Sequence, residues 1–153
     1  MRYCWGEAKD QNGSCAIGPL FRLFDNSFGL EDIKNCEVIL SIEGEDGFVS
    51  RGTNKMNEIS RSPEDLVAQV ISESHQYPDG IVLFLGTMFA PSEDRNKKGE
   101  GFTHKIGDQV QIQSEHLGSL VNWVNTCDQI PKWEFGIGSF INFLLERKSC
   151  NSI

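Results

Sequence analysis

The segment GIVLFLGTMFAP, residues 80–91, places the strongest constraint on the fold of this chain. Residues 81–85 form a continuous apolar run between a Pro-Asp-Gly turn at residues 78–80 and a further glycine, Gly86. An apolar run of this length between turn signals is typical of a strand that is covered on both faces. The pattern therefore predicts a buried strand over residues 81–85 that ends at Gly86 and Thr87.

The end of this predicted strand carries groups that can bind a ligand. Gly86 has no side chain, so a ligand can approach the backbone there, and the hydroxyl of Thr87 can donate a hydrogen bond to a carboxylate. The alternative is that Gly86 and Thr87 only form a turn, which is the commoner use of such a pair. The residues alone leave both interpretations open.

A second segment, GEAKDQNGSCAIGP at residues 6–19, carries Lys9 in a polar stretch that glycines interrupt. It ends in an Ala-Ile pair followed by Gly-Pro, so the pattern predicts a loop or strand end around the lysine. An ammonium held there could bind an anion. A solvated surface lysine is the alternative, because lysines are seldom buried without a partner.

Elsewhere the sequence predicts two pairs of strands. Residues 36–42 alternate weakly and lead through Glu45-Asp46-Gly47 into a second strand at residues 48–51, which indicates a hairpin. Residues 109–113 and 119–124 also alternate, which indicates a second pair.

Two helices complete the predicted elements. Ser62 is placed as the N-cap of a helix, with Pro63 in the first turn and Asp65 at capping-box spacing. The apolar stripe of this helix consists of Leu66, Val67, Val70 and Ile71. Residues 140–147 are predicted to form a short closing helix.

Residues 92–101 are polar and glycine-rich, which predicts a mobile loop that would serve as a lid beside the end of the buried strand. Within it, Asp94 and Arg95 are most simply a solvated pair, although an arginine fork could also close over a substrate carboxylate. His75 and His104 could move protons near neutral pH, but a histidine in a turn more often has a structural role.

Composition excludes several classes of protein. The length of 153 residues fits a single domain. The net charge of -8 argues against nucleic-acid binding. Five cysteines without a Cys-x-x-Cys pair favour reduced thiols and a cytoplasmic location. Neither a signal peptide nor a membrane-spanning segment is expected, because no apolar run reaches the roughly 20 residues that a span needs.

Together with residues 6–19 and 80–91, six further motifs resemble the fumarylacetoacetate hydrolase superfamily. They are AIGPLFRLFD (16–25), ISRSPEDLVAQ (59–69), HQYPDG (75–80), GEGFTHKIGD (99–108), LGSLVN (117–122) and WEFGIGSFI (133–141). The motifs are most similar to those of the bacterial 2-keto-3-deoxy-pentonate (xylonate or arabinonate) dehydratases. The resemblance implies an α+β, mainly β fold, namely a mixed β-roll that is incomplete at its N-terminus. Residues 1–153 would then be the C-terminal portion of the catalytic domain, and the enzyme would be a homodimer.

The resemblance also implies a chemistry. In such sites a divalent metal, Mg²⁺ or Mn²⁺, chelates the carboxylate and 2-keto oxygen of the substrate and stabilises the enolate formed when a C3 proton leaves. Lys9 is placed against the enolate oxygen or as a proton carrier, and Gly86 and Thr87 on the substrate carboxylate. The expected metal ligands, a Glu-x-Glu pair and an Asp, would lie upstream of Met1. Glu43-Gly44-Glu45 imitates that pair but is predicted to lie at a hairpin tip, so no metal ligand is assigned within the chain.

Two alternatives follow from the same resemblance. Relatives use a similar chelate for carbon–carbon hydrolysis, decarboxylation or isomerisation, so the keto-acid substrate class is better defined than the reaction. Alternatively, the chain is not an enzyme by itself but a truncated domain that binds 2-keto acids weakly or assembles with a partner. The missing metal ligands favour that second alternative and predict that the chain is inactive alone.

Overall fold

Four antiparallel strands form the sheet of this protein. The computed structural model describes residues 12–86 and 89–150, with side chains to residue 147. The strands are β1 (Glu37–Glu43), β2 (Val49–Lys55), β3 (Gln109–Ser114) and β4 (Gly118–Trp123). Their order across the sheet is β2-β1-β3-β4, and every neighbouring pair is antiparallel. Both predicted strand pairs are therefore confirmed.

The hairpin between β1 and β2 is closed by a turn that depends on a glycine and a backbone hydrogen bond. Gly47 adopts a φ of +79°, a region that residues with a Cβ avoid. The N–H of Gly44 donates to the carbonyl of Phe48 at 2.9 Å, which closes the turn. This turn fixes the register of the pair, in which Leu40 lies opposite Gly52 and Ile42 opposite Ser50.

The two faces of the sheet differ in polarity, because successive side chains along a strand point to opposite sides. On one face of β1 lie Val38, Leu40 and Ile42, and the register places Val110 and Ile112 of β3 beside the last two. Ile42 is almost fully buried. We call this apolar surface the groove face.

Two helices each begin with a hydrogen bond between a side chain and a backbone N–H. Helix α2 (Pro63–Val70) begins after Ser62, whose Oγ accepts a hydrogen bond from the N–H of Asp65 at 3.2 Å. Helix α1 (Leu30–Lys34) was not predicted. Its first turn is closed by Asp32, which accepts from the N–H of Gly29 at 2.7 Å. Lys34 of α1 pairs with Glu64 of α2 at 2.8 Å, so the two helices are joined.

The predicted stripe of α2 is only partly correct. Leu66 and Val70 are half-buried, whereas Val67 and Ile71 are more than 40% exposed. A short helix that contacts its neighbours along a narrow line covers only part of a four-residue stripe.

The prediction of a buried strand over residues 81–85 is wrong. These residues have no regular secondary structure, and their side chains are between 37% and 61% exposed. No backbone hydrogen bond joins them to another residue of the described ranges. An apolar run becomes a strand only where its backbone pairs with the edge of another strand, and the sequence pattern does not report that pairing.

The chain divides into two compact units, one of residues 17–124 and one of residues 1–16 and 125–153. The sheet and the first two helices belong to the former. The latter contains helix α3 (Ile137–Cys150), which confirms the predicted closing helix but starts earlier. Among the described residues, no helix has both the length and the apolar character to cross a bilayer.

The cap of α2 gives a direct test of this local structure. Ser62→Ala should lower the free energy of unfolding by about 1 kcal/mol, because the N–H of Asp65 loses its acceptor. Urea unfolding followed by circular dichroism measures the change. Ser62→Thr keeps the acceptor and should stay close to the parent, so equal losses in both variants would contradict the capping role.

Candidate functional site

A groove of about 570 Å³ opens on the groove face of the sheet. Its floor is apolar and consists of Val38, Leu40 and Ile112. Leu85 and Gly86 also line it, so the end of the apolar run lies over the sheet even though it forms no strand. Ligand sites in proteins commonly combine such an apolar surface with a few polar groups at the edge. We call this feature the sheet-face groove.

Gly86 borders this groove with its backbone rather than with a side chain. Its φ is +80°, so any other residue would be strained there. A Cβ at this position would meet none of the described neighbouring atoms within 4 Å. The backbone conformation therefore explains the glycine, and the open space beside it lets a ligand approach the main chain.

The other two residues predicted for the site, Lys9 and Thr87, lie outside the described residues. Their positions relative to the sheet-face groove, and their roles, therefore stay predictions. The structure places only Gly86 of the three at the sheet-face groove.

One cation lies at the rim of the groove. Arg61 lines it and donates from Nε to Oδ2 of Asp65 at 2.6 Å. This hydrogen bond lowers the pKa of the Asp65 carboxyl, which stays ionised and holds the guanidinium in place. Since a guanidinium has five N–H donors, one such bond leaves Arg61 able to bind a further anionic group.

A buried ionic cluster lies at another position on the same unit, around Arg95. The side chains of Arg95 and Asp108 are both only 1% exposed, and two guanidinium nitrogens contact the two carboxylate oxygens, with 2.6 Å between Nη2 and Oδ1. Nη2 also lies 3.0 Å from Oδ1 of Asp46 in the hairpin turn. The prediction that Asp94 and Arg95 are a solvated pair is therefore wrong. Tertiary contacts with distant carboxylates bury the arginine.

Further contacts complete the cluster. Nη1 of Arg95 donates to the carbonyl of Thr103 at 3.2 Å, and the guanidinium lies 4.7 Å from the centre of the Phe48 ring. Asp94 points elsewhere and accepts from the N–H groups of Gly99 and Gly101, both at 2.7 Å. These bonds give the predicted loop an ordered internal turn.

The hydrogen bonds of the cluster lower the pKa values of its two carboxyl groups and raise the pKa of Arg95. The bonds from Arg95, with help from the N–H of Lys105, lower the pKa of Asp108 to about 2. Arg95 and then Lys105 also hold the pKa of Asp46 far below its usual range. Both carboxylates are consequently charged throughout the neutral range.

The two histidines that were considered have local partners. Nδ1 of His75 lies 3.0 Å from Oγ of Ser72 within a turn, which agrees with the structural interpretation. Nδ1 of His104 lies 3.5 Å from Oδ2 of Asp108, and its ring packs edge-on against Phe102. Neither histidine lines the sheet-face groove.

The described residues do not fit a divalent metal. No group of three or more His, Cys, Asp or Glu side chains within these ranges could hold one. Glu43 ends β1 with its side chain about half exposed, 4.0 Å from Arg51, and Glu45 is exposed in the turn. Asp46 and Asp108 already bind Arg95. Each carboxylate near the hairpin thus has a position or partner that disfavours a metal.

The sheet, its flanking helices and the groove on one face define an α+β domain that is mainly β. The family model described as Fumarylacetoacetate (FAA) hydrolase C-terminal matches residues 1–125, and the chain belongs to that family. Membership indicates a hydrolase- or lyase-type activity, and members commonly bind divalent metals. A search of curated proteins returned no match, and neither did a search of solved structures.

Sequence reasoning missed the partners of Arg95. Asp108 lies 13 residues from Arg95, and Asp46 lies 49 residues away, so no local spacing reveals the cluster. The one available signal was the presence of an arginine in a loop that otherwise carries solvated side chains.

The pKa of Asp108 predicts how stability depends on pH. Because folding lowers this pKa from 3.8 to about 2, its contribution is present above pH 4 and is lost as the pH falls toward 2. Asp108→Asn should lower the free energy of unfolding by on the order of 2 kcal/mol at pH 7, less than for a pair deep in a core because Asp46 still binds Arg95. The difference from the parent should shrink between pH 4 and pH 2.

Urea unfolding at several pH values measures this dependence. Asp79→Asn, in an exposed turn, is the matched control and should follow the parent at every pH. A loss for Asp108→Asn that is the same at pH 7 and pH 2.5 would show that the charge of Asp108 does not stabilise the fold.

Proposed function

We propose that this chain forms part of a 2-keto acid site and that its reaction is the dehydration of 2-keto-3-deoxy-pentonate to 2,5-dioxopentanoate. The observation that carries the proposal is the family match over residues 1–125, which spans Lys9, Gly86 and Thr87. The open space beside the backbone of Gly86 supports it. The proposed fold is the wider β-roll of the superfamily, of which the four-stranded sheet would be one part.

Each residue has a distinct proposed role. The backbone at Gly86 and the hydroxyl of Thr87 bind the substrate carboxylate, which is unchanged by the reaction. The ammonium of Lys9 stabilises the enolate oxygen that forms when the C3 proton leaves, or carries that proton. Hydroxide then leaves from C4, so the elements of water are lost and a C3–C4 double bond forms before the product tautomerises.

The divalent metal of the family, Mg²⁺ or Mn²⁺, would have to be held by residues outside the described ranges. No group of ligands within those ranges fits it. We therefore propose that turnover depends on carboxylates outside the described residues, and that the described part alone binds the substrate only weakly.

A second candidate reaction is hydrolysis of a carbon–carbon bond in an acylpyruvate-type substrate. The specific observation that favours it is the apolar floor of the groove, where Val38, Leu40 and Ile112 suit an alkyl tail better than the hydroxyl groups of a sugar acid. Comparison of 2-keto-3-deoxy-pentonate with an acylpyruvate of similar length, in binding and in turnover, decides between the two reactions.

Thr87 tests the proposed carboxylate contact. Thr87→Val keeps the β-branched shape but removes the hydroxyl, so the Kd for 2-keto-3-deoxy-pentonate should rise by about tenfold. NMR titration of the chain measures the Kd, and thermal unfolding of the same preparations measures stability.

Two controls assign the effect to the carboxylate. Thr87→Ser keeps the hydroxyl and should retain most of the affinity. An amide analogue of the substrate should bind the parent and Thr87→Val equally. A lower Tm with an unchanged Kd would instead make Thr87 a purely structural residue.

The variant Lys9→Met tests the role of the ammonium in the chemical step. The measurement uses a form of the enzyme that includes its metal ligands and turns over substrate. Lys9→Met keeps similar bulk but removes the charge, so kcat and kcat/KM should fall together by about a hundredfold. Lys132→Met, an exposed lysine of the same chain, is the control and should have no effect. A Lys9→Met variant within a few-fold of the parent would return Lys9 to the class of surface lysines.

A further inference from the structure

We propose that residues 89–95, here called the strap, hold the backbone of Gly86 at the sheet-face groove, and that Gly52 is the positioning residue on which the strap depends. The expected effect on ligand binding rests on the proposed function. The strap itself is inferred from contacts between residues 89–95 and the hairpin.

The strap begins where the ring of Phe89 packs onto Gly52 of β2. A Cβ at position 52 would overlap three atoms of that ring, so the ring occupies the space of the missing side chain. The φ of Gly52 is not positive, and the backbone conformation therefore does not require a glycine. A glycine inside a strand often marks a site where another group approaches the backbone closely, and here that group is Phe89.

The second contact lies two residues before Gly52 in β2, on the same face. Oγ of Ser50 donates to both carboxylate oxygens of Glu93, each at 3.1 Å. Ser50 is only 3% exposed, although it is polar. Glu93 thus satisfies a buried hydroxyl and also fixes the middle of the strap.

The third contact is the buried pairing of Arg95 with Asp46 and Asp108. It fixes the C-terminal end of the strap to the hairpin turn and to the residue before β3.

These contacts have a consistent order. The partners of residues 89, 93 and 95 in the hairpin are residues 52, 50 and 46, so the strap runs opposite to β2. Gly86 lines the groove together with Asn54, the next residue on the same face of β2. Gly86 lies three residues before the anchored ring of Phe89. The packing of Phe89 on Gly52 therefore limits where the backbone of Gly86 can lie.

Two variants loosen this contact from opposite sides. Gly52→Ala places a methyl group in the space of the ring, and Phe89→Ala removes the ring but keeps the glycine. In either variant, amide hydrogens of the segment around Gly86 to Glu93 should exchange about tenfold faster. The Kd for 2-keto-3-deoxy-pentonate should rise by about tenfold as well.

A combined variant separates positioning from a general loss of stability. In the Phe89→Ala background, Gly52→Ala should add no further loss of affinity, because the ring that it would displace is already gone. Thr53→Val, on the opposite face of β2, is the matched control and should change neither exchange nor Kd. Additive losses for Gly52→Ala and Phe89→Ala would overturn the proposal.

The two readouts also separate this inference from the proposed function. If the parent chain binds no 2-keto acid, the proposed function fails, but hydrogen exchange still tests the strap. If the parent binds and the exchange of the segment around Gly86 to Glu93 is unchanged in Gly52→Ala and in Phe89→Ala, the strap is wrong and the proposed function stands.

Discussion

The buried guanidinium of Arg95 is the interaction on which the arrangement of this unit depends. Its partners, Asp46 and Asp108, belong to the hairpin turn and to the residue before β3. Burial of these charges carries a desolvation cost that is offset only when the geometry is good and further hydrogen bonds are made. The carbonyl of Thr103 and the Phe48 ring supply additional contacts to the guanidinium. One side chain therefore joins the turn, the loop and the sheet.

The buried ionic cluster around Arg95 restrains the glycine-rich loop at residues 92–101. A loop of this composition would ordinarily be mobile, but its Asp94 binds two of its own N–H groups and Arg95 anchors it to the sheet. Its backbone therefore has fixed points at both the strap and the internal turn. A loop held in this way can present a neighbouring segment to a ligand at a lower entropic cost than a free loop.

The charges of the unit are used mainly for structure. Lys34, Arg61 and Arg95 each pair with a carboxylate within 3.0 Å. The acidic side chains near the hairpin are held by cations or are exposed to solvent, and within the described ranges they gather into no metal site. The described charges near the hairpin thus stabilise the fold and do not form a metal site.

Local sequence determined much of the scaffold. The Asp-Gly turn set the hairpin because only glycine readily takes the φ of residue 47, and Ser62 with Pro63 set the start of α2. The sequence predicted that a ligand could approach the backbone at Gly86; that role stays a prediction, and the φ of +80° explains the glycine. Long-range contacts decided the rest. The apolar run at residues 81–85 became an exposed segment without regular structure, since it pairs with no strand edge among the described residues. Arg95 is buried, and the ring of Phe89 packs against Gly52. Both contacts depend on partners that are distant in sequence, and periodicity and composition do not report such partners.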